Sequence, residues 1–151
     1  MQLNRRTDYA LRTLLYLATL GAGNLATLDE IAHKFHIARD HLIKIVGKLA
    51  KLNYISATRG KGGGLRLNTA TLKTSLYEIV SHFESSLQVI DCDTPPCPIR
   101  NMCRLSTVLR EASQAFIDVL MAYTLADLLP ISTAERFAIA KQLSIPIRVE
   151  R

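Results

Sequence analysis

Apolar residues along this chain recur mainly at helical spacing, broken once by a short stretch of strand character. Leu11, Leu14, Leu15 and Ala18 share one face of a helix predicted over residues 8–20, with Thr7 placed to cap it and Gly21-Ala-Gly23 to end it. Thr27-Leu-Asp-Glu30 is a capping-box sequence that opens a short helix to about Phe35, with Leu28, Ile31, Ala32 and Phe35 apolar. A brief turn, His36-Ile37-Ala38, leads to a helix from Arg39 to about Leu52, whose Leu42, Ile45, Val46 and Leu49 follow i, i+3, i+4, i+7. The period then shortens: Tyr54–Thr58 and Gly64–Leu67 read as two strands around a glycine-rich tip, Arg59-Gly-Lys-Gly-Gly-Gly64.

Helical spacing resumes over residues 72–84 through Leu76, Ile79, Val80 and Phe83. It returns in a long segment from Arg104 to Tyr123, where Leu105, Val108, Leu109, Ala112, Phe116, Val119, Leu120 and Tyr123 form a stripe widened by Ala115, Ile117 and Met121. A stripe that wide exceeds what one small neighbouring domain covers, so it predicts a partner helix from a second copy of the chain. Ser132-Thr-Ala-Glu135 is a second capping box, opening a short helix to about Leu143, and the tail after Pro146 is expected to be irregular.

Two short helices joined by a tight turn and followed by a hairpin describe a winged helix-turn-helix. The predicted fold is therefore mainly α with a small β-hairpin wing, a winged helix-turn-helix domain plus a long dimerisation helix. Its expected parts are a reading domain over 1–85, a cysteine loop over 86–103, the dimerisation helix over 104–130, and a short helix and tail over 131–151.

Charge supports this division. Residues 1–70 carry 11 Lys or Arg against 4 acids, a net +7, whereas residues 71–151 carry 8 against 9, a net −1. All the excess positive charge lies in the half predicted to read DNA. On the third helix Arg39 stands at the start, and His41, Lys44, Lys48 and Lys51 form a basic stripe opposite the apolar one. Such a stripe is often only a solvated face, but here a hairpin follows whose Arg59 and Lys61, carried by Gly62 and Gly63, are placed to reach phosphates or the minor groove of double-stranded DNA. The same glycines do not make a P-loop, because no Lys-Ser/Thr and no helix start follow them. With neither a membrane-length apolar run nor a signal peptide, the chain is expected in the cytoplasm, its thiols reduced.

The three cysteines fall in one segment, Cys92-Asp-Thr-Pro-Pro-Cys97-Pro-Ile-Arg-Asn-Met-Cys103. The spacing does not suit a zinc knuckle, a cytosolic disulfide is disfavoured, and although His82 is ten residues away nothing completes a nucleophilic site, so the chain reads as no enzyme. Three thiolates on a proline-stiffened loop do suit a soft iron centre with a fourth ligand from elsewhere. A thiol redox switch without a metal, or a metal-stabilised scaffold without DNA binding, is the alternative, and the +7 half and the wing argue against the scaffold.

Tyr9-Ala-Leu-Arg12, His41-Leu-Ile-Lys44, the glycine-rich wing, the cysteine loop and Tyr123-Thr-Leu-Ala-Asp127 together resemble the iron-sulfur winged-helix repressors over nearly the whole chain to about Leu129, with the nitric-oxide-sensing NsrR repressors as the nearest branch. That resemblance implies a homodimer holding one iron-sulfur cluster per chain through Cys92, Cys97 and Cys103, repressing its genes until nitric oxide attacks the cluster. In some relatives the cluster is 4Fe-4S and its fourth ligand is a first-helix aspartate of the other subunit, a position matched here by Asp8, which otherwise reads as a carboxylate favoured by the helix dipole. A second branch, holding 2Fe-2S by three cysteines and a histidine just after the third, fits less well, because Cys103 is followed by Arg-Leu-Ser-Thr-Val.

Overall fold

The computed structural model describes residues 2–21, 23–58, 60, 62–130 and 132–143. Its first helix, α1 (Arg5–Leu20), starts earlier than the apolar spacing places it, because Asn4 is the cap. Asn4 Oδ1 accepts from the amides of Arg6 and Thr7 at 2.8 and 3.0 Å. Thr7, the expected cap, lies inside the first turn, fully buried, and donates its hydroxyl to Glu84. Both residue types cap helices well, and the distant carboxylate decides between them.

Helices α2 (Leu28–Phe35) and α3 (Arg39–Lys51) form the expected helix-turn-helix. Thr27 caps α2 by accepting from the Glu30 amide at 3.1 Å. The Glu30 carboxylate, however, accepts the hydroxyl of buried Tyr16 in α1, which ties the two helices together. In the turn His36 takes a left-handed conformation, φ 52°, and the Ile37 amide returns to the Ala32 carbonyl at 2.9 Å as its side chain enters the core. Leu42, Ile45, Val46 and Leu49 of α3 are buried as their spacing predicts.

The wing is an antiparallel hairpin, β1 (Ile55–Thr58) and β2 (Gly64–Leu67), with Ile55 opposite Leu67 and Thr58 opposite Gly64. Ala26 bridges to Leu65 through two backbone hydrogen bonds of 3.0 and 2.7 Å, so the hairpin docks on the connection between α1 and α2. The approach is close enough that a Cβ on Gly64 would stand 3.0 Å from the Ala26 carbonyl. At the tip, Gly63 donates to the Gly60 carbonyl at 2.9 Å, and Gly62 adopts φ +82°, a conformation side chains resist.

The helix predicted over 72–84 is divided. A 3-10 turn spans Thr69–Lys73, and α4 (Leu76–Ser81) begins anew after Thr74 and Ser75, which are extended. The break has a tertiary cause: the Leu76 amide donates to the Tyr123 carbonyl at 2.8 Å and the Leu125 amide to the Thr74 carbonyl at 3.0 Å, a strand-like bridge no helix could make. Ser75 then caps α4 by accepting from the Glu78 amide at 3.2 Å.

Beyond the cysteine loop, α5 (Arg104–Ala122) runs roughly 28 Å and packs one side against α4. Leu109, Phe116, Ile117 and Leu120 are half-buried, whereas Leu105, Val108, Ala112, Ala115, Val119 and Ala122 are exposed. The apolar core is built from residues 10–83 with Leu125, and α5 adds no residue to it. In α6 (Thr133–Gln142) both halves of the Ser132–Glu135 capping box form. The tail after Pro146 lies outside the described residues. No helix among the described residues is long and apolar enough to cross a membrane.

Candidate DNA-reading surface and cysteine loop

Burying the apolar face of α3 turns its basic face outward, and α1 supplies the facing wall. Between them lies a cleft of about 420 Å³ lined by Arg5, Arg6, Tyr9, His41, Lys44, Ile45, Lys48 and Phe83. Four permanent cations and a histidine converge there with no carboxylate in the lining, so the cleft favours an anion. His41 and Lys44 are exposed. Lys48 is engaged at its inner end: its ammonium stands 4.9 Å from the Phe83 ring centroid and donates to the His82 carbonyl. Arg39 stands apart from the cleft, its Nε 2.7 Å from Asp29 Oδ1 in an exposed pair that yields readily to a phosphate.

Four members of this surface escaped the sequence pattern. Arg5 and Arg6 precede the predicted helix, and only the cap at Asn4 places them on its first turn facing α3. Ile43 is 43% exposed on the outer side of α3, and nothing lies within 4 Å of where a Gly47 Cβ would be, one turn on. An apolar side chain and a bare glycine on a reading helix suit close approach to base edges, including a thymine methyl. In the wing, Gly62 and Gly63 form the tip, while Arg59 and Lys61 lie outside the described residues.

Two buried phenols tie elements of the reading domain together, Tyr16 joining α1 to α2 and Tyr54 joining the start of the wing to α4. Burial first, then the hydrogen bond and charge of Glu30, push the Tyr16 hydroxyl well above tyrosine's usual pKa. Burial and Glu78 do the same for Tyr54, whose hydroxyl donates to Glu78 Oε1 at 3.1 Å.

The cysteine loop joins α4 to α5. Cys92, Cys97 and Cys103 are free thiols, each half-exposed. The Cys97 amide donates to the Cys92 carbonyl at 3.0 Å, closing a turn around Thr94, Pro95 and Pro96, and Cys103 stands at the head of α5. Asp91 Oδ1 orders the entry by accepting from the amides of Asp93 and Thr94, and Asp93 pairs with Arg100 across the loop. Among the described residues, no three His, Cys, Asp or Glu side chains of one chain already converge as a metal site. The donor set itself fits an iron-sulfur cluster: three free, half-exposed thiols on one loop. Asp8 is on the first turn of α1, its Oδ1 accepting from Arg12 Nε at 2.7 Å.

A helix-turn-helix with a docked two-stranded wing and a basic recognition face defines a winged-helix DNA-binding regulator. The chain belongs to the Rrf2 family, described as iron-dependent transcriptional regulators, whose family pattern matches residues 3–130. Similar solved structures include Staphylococcus aureus CymR in its oxidized form, at 23% identity and TM-score 0.70 over 87% of this chain and 98% of that one. IscR of T. potens superposes at TM-score 0.64 with 20% identity, over 85% of each chain. A transcriptional regulator from Listeria innocua is 26% identical, with TM-score 0.63 over 88% and 89%.

Proposed function

We propose that the chain is a homodimeric repressor whose grip on operator DNA depends on an iron-sulfur cluster and is released by nitric oxide. The observation that carries this reading is the position of three free thiols on the single loop joining a basic reading head to a helix with an exposed apolar seam. The α3 helix enters the major groove, with Arg39, His41, Lys44 and Lys48 toward phosphates and base edges, while Arg59, Lys61, Gly62 and Gly63 bring the wing against the adjacent backbone. Cys92, Cys97 and Cys103 hold the cluster, of the 4Fe-4S type, and Asp8 of the second subunit completes the ligand set. When bound, such a cluster supplies a carboxylate-held iron open to a small reactive molecule. To join that ligand set Asp8 would give up its pair with Arg12, and it would then tie one head to the other subunit's loop, so that its bond would bias the angle between the two heads.

Two branches stand beside this one. A 2Fe-2S regulator of cluster supply finds no histidine in the residues just after Cys103. A thiol switch finds support in the half-exposed free cysteines and in the likeness to a regulator solved in an oxidized form. Of these, only a cluster regulator makes DNA binding depend on bound iron.

DNA reading is tested by selecting a duplex from random sequence with the wild-type chain and following affinity against salt. Lys44→Ala is expected to lower the slope of log K against log salt by about one, with affinity falling across all duplexes alike. Affinity independent of salt, or a slope unmoved by Lys44→Ala, would refute the assignment of this face.

A further inference from the structure

The three residues that close α4 touch both α1 and α3 and lead directly into the cysteine loop. Phe83 and Glu84 both return their amides to the Val80 carbonyl, at 2.9 and 3.0 Å, so the segment is anchored to α4 before the chain departs into the cysteine loop. From that anchor Glu84 reaches the start of α1: its Oε1 accepts from the Asn4 amide at 2.8 Å and from the hydroxyl of fully buried Thr7. Beside it the Phe83 carbonyl accepts from Asn4 Nδ2 at 3.0 Å. One residue earlier, the His82 carbonyl accepts from Lys48 of α3, whose ammonium also lies over the Phe83 ring. The His82 ring in turn packs at 5.9 Å on Tyr54, the residue that leads into the wing.

These bonds are unusual in what they hold. Asn4 caps α1, so the carboxylate that receives its amide fixes the turn bearing Arg5, Arg6 and Asp8. Phe83, Arg5, Arg6 and Lys48 are all walls of the basic cleft. The segment 82–84 thus joins both walls of the cleft, and residues 85–91 link it to Cys92, with the Val89 amide donating to Ser113 Oγ of α5 at 3.1 Å on the way.

We propose that Glu84 is a positioning residue, a latch that passes a change in the cysteine loop to the first turn of α1 and, through the neighbouring His82 carbonyl on Lys48, to the recognition helix. This deepens the proposed function and rests on its DNA-reading surface, but not on the identity of the group the thiols hold. A carboxylate suits this role because it takes two donors from one turn with a single group and sits at the positive end of the α1 dipole.

The test uses the intact chain with its thiols reduced and with all three alkylated by N-ethylmaleimide, a perturbation confined to the loop that needs no metal. Wild type, Glu84→Ala and Thr7→Val are compared, the last removing one donor while keeping shape, so that a poorly folding Glu84→Ala still leaves a variant to measure. Affinity for the selected duplex and amide exchange over residues 5–9 are read in each state. In the wild type, alkylation is expected to change affinity about tenfold, within the usual range for coupled sites, and to alter exchange over 5–9. In both variants the ratio of affinities should shrink below about twofold, while the reduced forms still bind. Variants that respond as the wild type does, or a wild type whose affinity and exchange ignore alkylation, would overturn the latch. A wild type that selects no duplex would instead refute DNA reading, and exchange over 5–9 would still decide on the latch.

Discussion

Asp8 lies on the first turn of α1 and is the residue the proposed ligand set borrows from it. It sits in the first turn, where a carboxylate is favoured by the helix dipole, and it pairs with Arg12 across one turn. Their side chains are 41% and 47% exposed, a setting in which an ion pair contributes no more than about 1 kcal/mol. Breaking the Asp8–Arg12 pair therefore costs little, as the proposed ligand role of Asp8 requires. Asp8→Ala is expected to change the unfolding free energy of the metal-free chain by less than about 1 kcal/mol in urea, while iron retained after anaerobic purification drops sharply. Full retention of iron by that variant would remove Asp8 from the ligand set. Tyr16 and Tyr54 make stability depend on alkaline pH. Because Tyr16 and Tyr54 have folded pKa values raised above the unfolded value of about 10, their contribution is fully present below about pH 10 and lost as pH rises through the folded values. Urea midpoints should therefore fall above about pH 10, and less steeply in Tyr16→Phe than in the wild type; equal alkaline slopes would contradict the assignment.

Among the elements, those whose bounds were legible are those that local signals settle. Thr27 and Ser132 cap the helices they were expected to cap, the Leu42–Leu49 stripe lies inward, and Gly64–Leu67 is the second strand of the wing. The misplaced bounds answer to partners far away in sequence: Glu84 makes Thr7 a buried donor rather than a cap, and the backbone of Tyr123–Leu125 breaks the helix at Thr74. Arg5 and Arg6 stayed hidden for the same reason, since they join the cleft only once the cap moves to Asn4. The long helix α5 is the instructive case. Its apolar stripe was legible, but only the packing of one side against α4 divides it, leaving Leu105, Val108, Ala112, Ala115, Val119 and Ala122 as an outward seam. That spacing alternates three and four residues, the repeat of a two-helix seam, with alanines that allow close approach. Leu105 is 60% and Val108 58% exposed, a good fit to a second copy of the helix. Val108→Glu with Ala115→Glu is expected to give a folded monomer by sedimentation, with affinity for a palindromic duplex lost; an unchanged dimer would place the interface elsewhere.

Across the whole molecule, the cysteine loop lies between the basic reading head and the helix with the exposed apolar seam. The first 70 residues carry the net +7 and the basic cleft, α5 carries the seam, and Cys92–Cys103 spans the junction. Dimerisation through α5 would hold two recognition helices at a fixed spacing, matching half-sites about one helical turn apart. The loop controls that spacing if its thiols are ligated in one state and released in another. The most direct measurement is anaerobic purification with iron and sulfide counted per chain, followed by titration with nitric oxide while the cluster absorbance and binding to the selected duplex are recorded together. Cluster-dependent repression predicts about four irons per chain and release of DNA in step with loss of the absorbance. A chain without iron under anaerobic conditions, or DNA binding that persists unchanged as the absorbance disappears, would contradict it.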